Sequence, residues 1–236
     1  MKSLRMFLLF PLAFAILLLR VEPASADWKD VVLRPVFYTK NEIAFPGTAF
    51  IIKDGSGNYY ALTAAHLLDD KQWEQVQRVD FFTMQGKLVA RAVGQPVYRG
   101  RQYEYRPLKK DGAPRDPTKD LVIFRVKIVG TVKPLTLAPD NVVTKPGERV
   151  WVVGRHHKQG LGTDKLYRAV MLETDRHAYF ISLTDKFDGH GFSGGPIVNS
   201  KSQVIGNVIA GNKELILGAS AAALRARLRQ HGIFPK

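Results

Sequence analysis

The stretch GFSGGPIV, residues 191–198, sets one serine among three glycines and follows it with proline and two β-branched residues. Glycine is used where the backbone must take conformations that a Cβ disfavours. The stretch therefore reads as a tight turn that presents Ser193 and then enters a strand. Two other stretches fit it. LTAAHLL (62–68) places His66 just after a strand, and KDLVIFRV (119–126) places Asp120 at the start of another. The order along the chain is His, Asp, Ser.

These three residue types suit nucleophilic chemistry. A serine hydroxyl is a poor nucleophile at neutral pH. An adjacent imidazole can take its proton and later return it to a leaving amine. A buried carboxylate that accepts the Nδ1–H holds the imidazole in one tautomer. The oxyanion that develops needs backbone N–H donors, and the glycine turn lets Gly191 and Ser193 point theirs to one side. Gly194 and Gly195 let the chain leave without crowding a substrate. Each stretch is weak alone, but three together in this order point to catalysis. Asp111 and Asp116 are rivals to Asp120, but neither opens an apolar strand.

The surrounding chain is rich in short strand signals. VVLRPVFY (31–38), GTAFIIKD (47–54), NYYALT (58–63), VQRVDFFT (76–83), KLVARAV (87–93) and DLVIFRV (120–126) make one group. ERVWVVG (148–154), KLYRAVMLETD (165–175), AYFISL (178–183), PIVN (196–199), SQVIGNVIAG (202–211) and ELILGAS (214–220) make a second. DGSGN (54–58) and MQG (84–86) read as hairpin turns. Residues 128–147 carry three prolines and two glycines and read as a linker. Residues 220–231 read as a helix capped by Ser220 and ended by Gly232, with Leu224 and Leu228 as its apolar seam. The expected fold is all-β, a sandwich or barrel pair. Its units are a β unit at about 30–127, a linker at 128–147, a β unit at about 148–219 and a helix at 220–231.

The N-terminus is read separately. Lys2 and Arg5 precede an apolar run, and small residues end the segment at Ala24 and Ala26. This is the layout of a secretory signal peptide over 1–26, leaving a mature chain of 27–236. The alternative is a retained membrane anchor, for which the run is short and in favour of which Arg20 stands. Export, periplasmic or secreted, follows from the first reading, with no stable membrane span after signal removal. The chain has no cysteine, so no disulfide. Its formal charge is +14, reduced by two if residues 1–26 are removed. A basic chain attracts anionic surfaces. A nucleic-acid partner is not expected: it would need basic residues interleaved with stacking aromatics on one face, and an exported protein rarely meets that partner. The loop 97–119 holds seven Lys or Arg, three acids and three Tyr. It reads either as a basic exosite for an anionic envelope component or as a solvated insertion. RHHKQG (155–160) has no acid or further His at ligand spacing, so no metal and no cofactor are expected.

The residues quoted so far resemble the trypsin/chymotrypsin-like serine proteases. GTAFIIKD with YYALTAAHLL is similar to that family's opening strands and histidine motif, and DLVIFRV to its aspartate motif. LTDKFDGHGFSGGPIVNSKSQVIGNV, with GASAAALRARL, is similar to the protease domain of the HtrA-type branch. The resemblance implies two six-stranded β-barrels with the site between them. It implies His66 as general base and acid, Asp120 as its orienting partner, Ser193 as nucleophile, and the N–H groups of Gly191 and Ser193 as oxyanion donors. No PDZ domain is expected, because the chain ends five residues after the helix. Phe192 stands where digestive relatives carry an Asp that pairs with a freshly cut N-terminus, and where HtrA-type proteins usually carry Asn. Activation by N-terminal cleavage is therefore not expected.

The resemblance also points to a specificity pocket. Phe187 stands six residues before the serine, where trypsin-like enzymes that bind basic side chains carry an acid. Val208 stands where glutamate-specific relatives carry His, and Gly211 follows on the same strand. His190 either borders the cleft or is an exposed loop residue. A small or medium apolar side chain is the expected specificity. The function expected is an exported serine endopeptidase acting on protein or peptide substrates. The alternative is a catalytically silent protease-fold protein that binds peptides or envelope components.

Overall fold

The computed structural model describes residues 31–44, 46–101, 117–154, 166–174, 177–185 and 189–234. The signal-peptide reading, Asp111, Asp116, Phe187, RHHKQG and the middle of the basic 97–119 loop lie outside the described residues. The strands are β1 (Val32–Tyr38), β2 (Ile43–Ala44), β3 (Ala49–Lys53), β4 (Tyr59–Ala64), β5 (Arg78–Thr83), β6 (Leu88–Ala92), β7 (Tyr98–Arg99) and β8 (Leu121–Ile128). They continue with β9 (Arg149–Val153), β10 (Leu166–Thr174), β11 (Ala178–Leu183), β12 (Pro196–Val198), β13 (Val204–Gly211) and β14 (Leu215–Ser220). Two helices, α1 (Asp70–Gln75) and α2 (Ala221–Gln230), complete the order.

Six strands close the first barrel in the order β1-β3-β4-β8-β6-β5, because β5 pairs back onto β1. The short strands β2 and β7 are appended to β1 and β8. The second barrel closes in the order β10-β11-β14-β13-β12-β9. All pairs within both barrels are antiparallel. Closure leaves neither barrel with a long free edge.

The apolar runs explain where the barrels meet. In β3, Ala49 and Ile51 fill the first barrel, while Phe50 and Ile52 belong to the cluster between the barrels. In β8, Val122 and Phe124 point inward, while Leu121 and Ile123 face the seam. In β9, Val150 and Val152 fill the second barrel, while Trp151 and Val153 join the seam. Strands buried on both faces need unbroken apolar sequence, which is what FII, LVIF and VWVV supply. Each such side chain contributes about 1.5–3 kcal/mol by leaving water.

The proline-rich segment 128–147 does more than connect. Leu135 N–H donates to Ile51 C=O (2.7 Å), and Ala138 N–H donates to Val204 C=O (2.8 Å). Leu135 and Leu137 are buried in the seam, so the segment ties one barrel to the other. Helix α2 grips it from outside: Arg225 Nε and Nη2 donate to Ala138 C=O and Leu137 C=O, each at 2.7 Å. Ser220 caps α2 by accepting from Ala223 N–H, and Leu224 and Leu228, the helix's apolar stripe, are buried in the seam between the barrels.

Helix α1 is an addition to that reading. Asp69 and Gln72 form a reciprocal capping box at its start. It delivers Trp73 to the first barrel, edge-on to Phe37 at 5.3 Å between centroids. Among the described residues no helix is long and apolar enough to cross a membrane.

Candidate active site

The site is built at the seam, and each barrel contributes a turn. Strand β4 runs directly into a 3-10 turn, Ala65–Leu67, that carries His66. Trp73 fixes this turn from below: its indole N–H donates to Ala65 C=O at 2.8 Å. A second 3-10 turn, Pro117–Asp120, ends at Asp120, and β8 begins at the next residue. Arg227 of α2 braces that turn by donating from Nη2 to Thr118 Oγ1 (3.1 Å), and its guanidinium lies 4.7 Å from the Tyr98 ring centre. The 97–119 loop is therefore structured at both ends, its start pairing as β7 with β8.

The structure brings His66, Asp120 and Ser193 together. His66 Nδ1 lies 2.7 Å from Asp120 Oδ2. His66 Nε2 lies 2.9 Å from Ser193 Oγ. The main-chain N–H of His66 donates to Asp120 Oδ1 at 2.8 Å, so the carboxylate holds both the ring and its backbone. Asp120 is 1% exposed. A buried carboxylate is tolerated only when it is hydrogen-bonded, and these two bonds meet that need. His66 and Ser193 are half-buried and open to the cleft.

The serine turn explains its glycines. Phe192 N–H donates to Gly189 C=O at 3.2 Å, closing a four-residue turn with Gly191 at its third position. Gly191 has φ of +96°, the value a type II turn demands there. Gly194 has φ of +84°, and a Cβ on it would lie 2.3 Å from Thr48 O and 2.5 Å from Thr63 Oγ1. The first barrel packs against this backbone too closely for any side chain. Among the described residues the N–H groups of Gly191 and Ser193 donate to no partner.

Phe192 fills the core of the second barrel. It is 0% exposed, edge-on to Tyr167 at 5.2 Å, and a Cβ on Gly154 would lie 2.6 Å from its ring. The turn is thus anchored by an apolar plug. Phe192→Ala is expected to cost about 3–5 kcal/mol of stability in denaturant unfolding. A cost below about 1 kcal/mol would show that the plug does not hold the turn.

The cleft is lined by Pro46, Gly47, His66 and Leu67 on one side and by residues 189–191, Ser193, Ala210 and Gly211 on the other. His190 is exposed at its rim and Gly211 lies on its wall. Val208 lies behind the cleft. Its side chain is fully buried in the second barrel, and its backbone is spent on bonds to Gly194 and Gly195. Ala210, two residues on, lines the cleft. Ile216 underlies the wall: its Cδ1 lies 2.3 Å and 3.2 Å from where Cβ atoms on Gly211 and Gly189 would be. The segment leading to the turn starts from a fixed point. Arg168 donates to Asp185 from Nε (2.9 Å) and Nη2 (2.6 Å), and its backbone N–H donates at 2.7 Å. The Arg168 hydrogen bonds hold the Asp185 carboxyl below its ordinary range. A carboxyl lowered on folding stabilises above its unfolded pKa, so this anchor is complete at neutral pH and is lost only on acidification below the usual carboxylate range.

A family model described as a trypsin-like peptidase domain matches residues 47–206 of the 236. The chain belongs to the trypsin-like peptidases. Two crystal structures of the Rv3671c protease of M. tuberculosis in its inactive form share the trypsin-like fold, one of them a serine-to-alanine mutant. They give TM-scores of 0.57 and 0.58 at 20% identity, covering 87% of this chain and 91% and 89% of theirs. A serine endoprotease from Yersinia pestis gives 0.59 at 17% identity, covering 89% of this chain and 67% of that one. No curated protein sequence matches this trypsin-like peptidase.

Three residues of this site carried no catalytic signal in the sequence. Trp73 holds the histidine turn. Thr48 and Thr63 hold the serine turn from the other barrel. The capping box before Trp73 is a local signal that could have placed α1. The threonines lie inside ordinary strand patterns, and nothing local marks them.

Proposed function

We propose that this trypsin-like peptidase is an exported serine endopeptidase that hydrolyses peptide bonds through an acyl-enzyme. The observation that carries the proposal is the continuous line from Asp120 Oδ2 through His66 to Ser193 Oγ, with links of 2.7 and 2.9 Å. Asp120 accepts the Nδ1–H of His66, which leaves the Nε2 lone pair to accept from the Ser193 hydroxyl. As Oγ attacks the scissile carbonyl carbon, its proton passes to Nε2. The carbonyl oxygen becomes an oxyanion within reach of the Gly191 and Ser193 N–H groups. The tetrahedral intermediate collapses, the C–N bond breaks, and His66 returns the proton to the leaving amine. Water then repeats the sequence on the acyl-enzyme and releases the acid. The substrate side chain beside the serine is apolar and of small or medium size, in keeping with the glycine walls backed by Ile216. Export rests on the N-terminal residues 1–26, read as a signal peptide.

The test is labelling of residues 27–236 by a fluorophosphonate. The probe needs an activated serine and open oxyanion donors but little substrate specificity. Stoichiometric labelling of Ser193, absent from His66→Ala, is the expected result. A folded protein that stays unlabelled would exclude the endopeptidase and leave a peptide-binding role.

A further inference from the structure

Three N–H groups of the serine turn are tied within the second barrel. Phe192 N–H goes to Gly189 C=O, Gly195 N–H to Phe192 C=O at 2.8 Å, and Gly194 N–H to Val208 C=O at 2.8 Å. Two of its carbonyls, those of Gly191 and Ser193, face the other barrel. Thr48 takes them: its N–H donates to Ser193 C=O at 2.9 Å, and its hydroxyl donates to Gly191 C=O at 2.7 Å. Thr48 is fully buried, and its own carbonyl accepts from the buried Thr63 hydroxyl at 2.7 Å.

We infer that Thr48 is a positioning residue: by bonding the Gly191 and Ser193 carbonyls it holds the peptide planes that follow the two oxyanion N–H groups, and so keeps those N–H groups facing the reacting carbonyl. The inference rests on the endopeptidase reading above. Its physical basis is a division of labour within the turn. Phe192 fixes where the turn sits, but apolar packing is non-directional and does not set which way a peptide plane faces. A type II turn converts to type I by rotation of its central peptide. Here that peptide joins His190 to Gly191, and its rotation would carry the Gly191 N–H away from the cleft. Glycine offers no side chain to oppose the rotation. The Thr48 hydroxyl acts from the far side of Gly191: it fixes the next peptide plane, which carries the Gly191 carbonyl and the Phe192 N–H, and so excludes rotations in which the two planes move together. A Gly191 carbonyl left without this donor would be unsatisfied at the seam, which makes reorientation the favoured escape. The donor comes from the first barrel, so the oxyanion turn is set only when the barrels are docked.

The test compares Thr48→Val, which keeps the shape and the N–H but removes the hydroxyl, with Thr48→Ser, which keeps the hydroxyl. Thr48→Ala replaces the valine form if that does not fold. Thr48→Val is expected to lower kcat about 10- to 100-fold and to weaken a peptide aldehyde inhibitor in parallel. KM stays within about twofold, and Thr48→Ser restores kcat. Hydrogen exchange of the amides over 189–195 is expected to speed up about tenfold in Thr48→Val and not in Thr48→Ser. Unchanged kcat, a loss confined to KM, or a loss shared equally by Thr48→Ser would overturn the inference. The exchange measurement needs no turnover. An unlabelled wild type would therefore sink the endopeptidase reading, while unchanged exchange would sink the Thr48 role by itself.

Discussion

Ser193→Ala is expected to lower turnover about 10⁴- to 10⁶-fold while leaving the fold intact. That loss corresponds to about 5–8 kcal/mol of transition-state stabilisation. The fold should survive because the Ser193 side chain carries no packing. Its hydroxyl meets His66 Nε2, while the Ser193 carbonyl, bonded to Thr48 N–H, is unaffected by the change. Alanine at a non-glycine backbone conformation adds no strain, since Ser193 is not among the positive-φ residues. The measurements are kcat on a chromogenic peptide with a small apolar residue before the scissile bond, and a thermal melt. A variant within tenfold of wild type would remove Ser193 as the nucleophile. A melt lowered in step with activity would make the loss structural.

Asp120→Asn is expected to reduce kcat by about 10⁴, close to the effect of losing the nucleophile. The substitution preserves shape but offers an amide. Asparagine can place its oxygen toward the His66 main-chain N–H, now 2.8 Å from Oδ1, and then presents NH₂ to the ring. The ring nitrogen facing it must then accept, which forces the proton onto Nε2 and leaves nothing to receive the Ser193 proton. The damage is to the tautomer, so KM should change little. A Ser193 that labels at the wild-type rate in Asp120→Asn would show that Asp120 serves only the fold.

The fold was legible because its signals are local and repeated. The β-branched and aromatic runs placed the twelve barrel strands to within a residue or two but not the short β2 and β7, and the alternation within FII and LVIF also encodes the seam. The serine turn was legible for a different reason: its glycines are required by a positive φ at Gly191 and by a backbone 2.3 Å from any Cβ at Gly194. Thr48, Thr63 and Trp73 were not legible, because their roles depend on partners 143, 15 and 8 residues away that are fixed only by barrel closure. Val208 was named by resemblance alone, and alternation along its strand could not have given its face. The β13 register shifts between Val208 and Ala210, so position along the strand did not give the face.

The separation of the site along the chain has a kinetic consequence. His66 and Asp120 are 54 residues apart, and His66 and Ser193 are 127 apart. Contacts of such long range form late, since loop closure must be met before they add stability. The first barrel holds its own histidine turn, but the aspartate turn is braced by Arg227 of α2, and the nucleophile and its donors arrive only with the second barrel. Under the proposed chemistry, a chain that has not yet docked its two barrels carries no working site. It cannot cut its own unfolded segments before the seam has closed and hidden them.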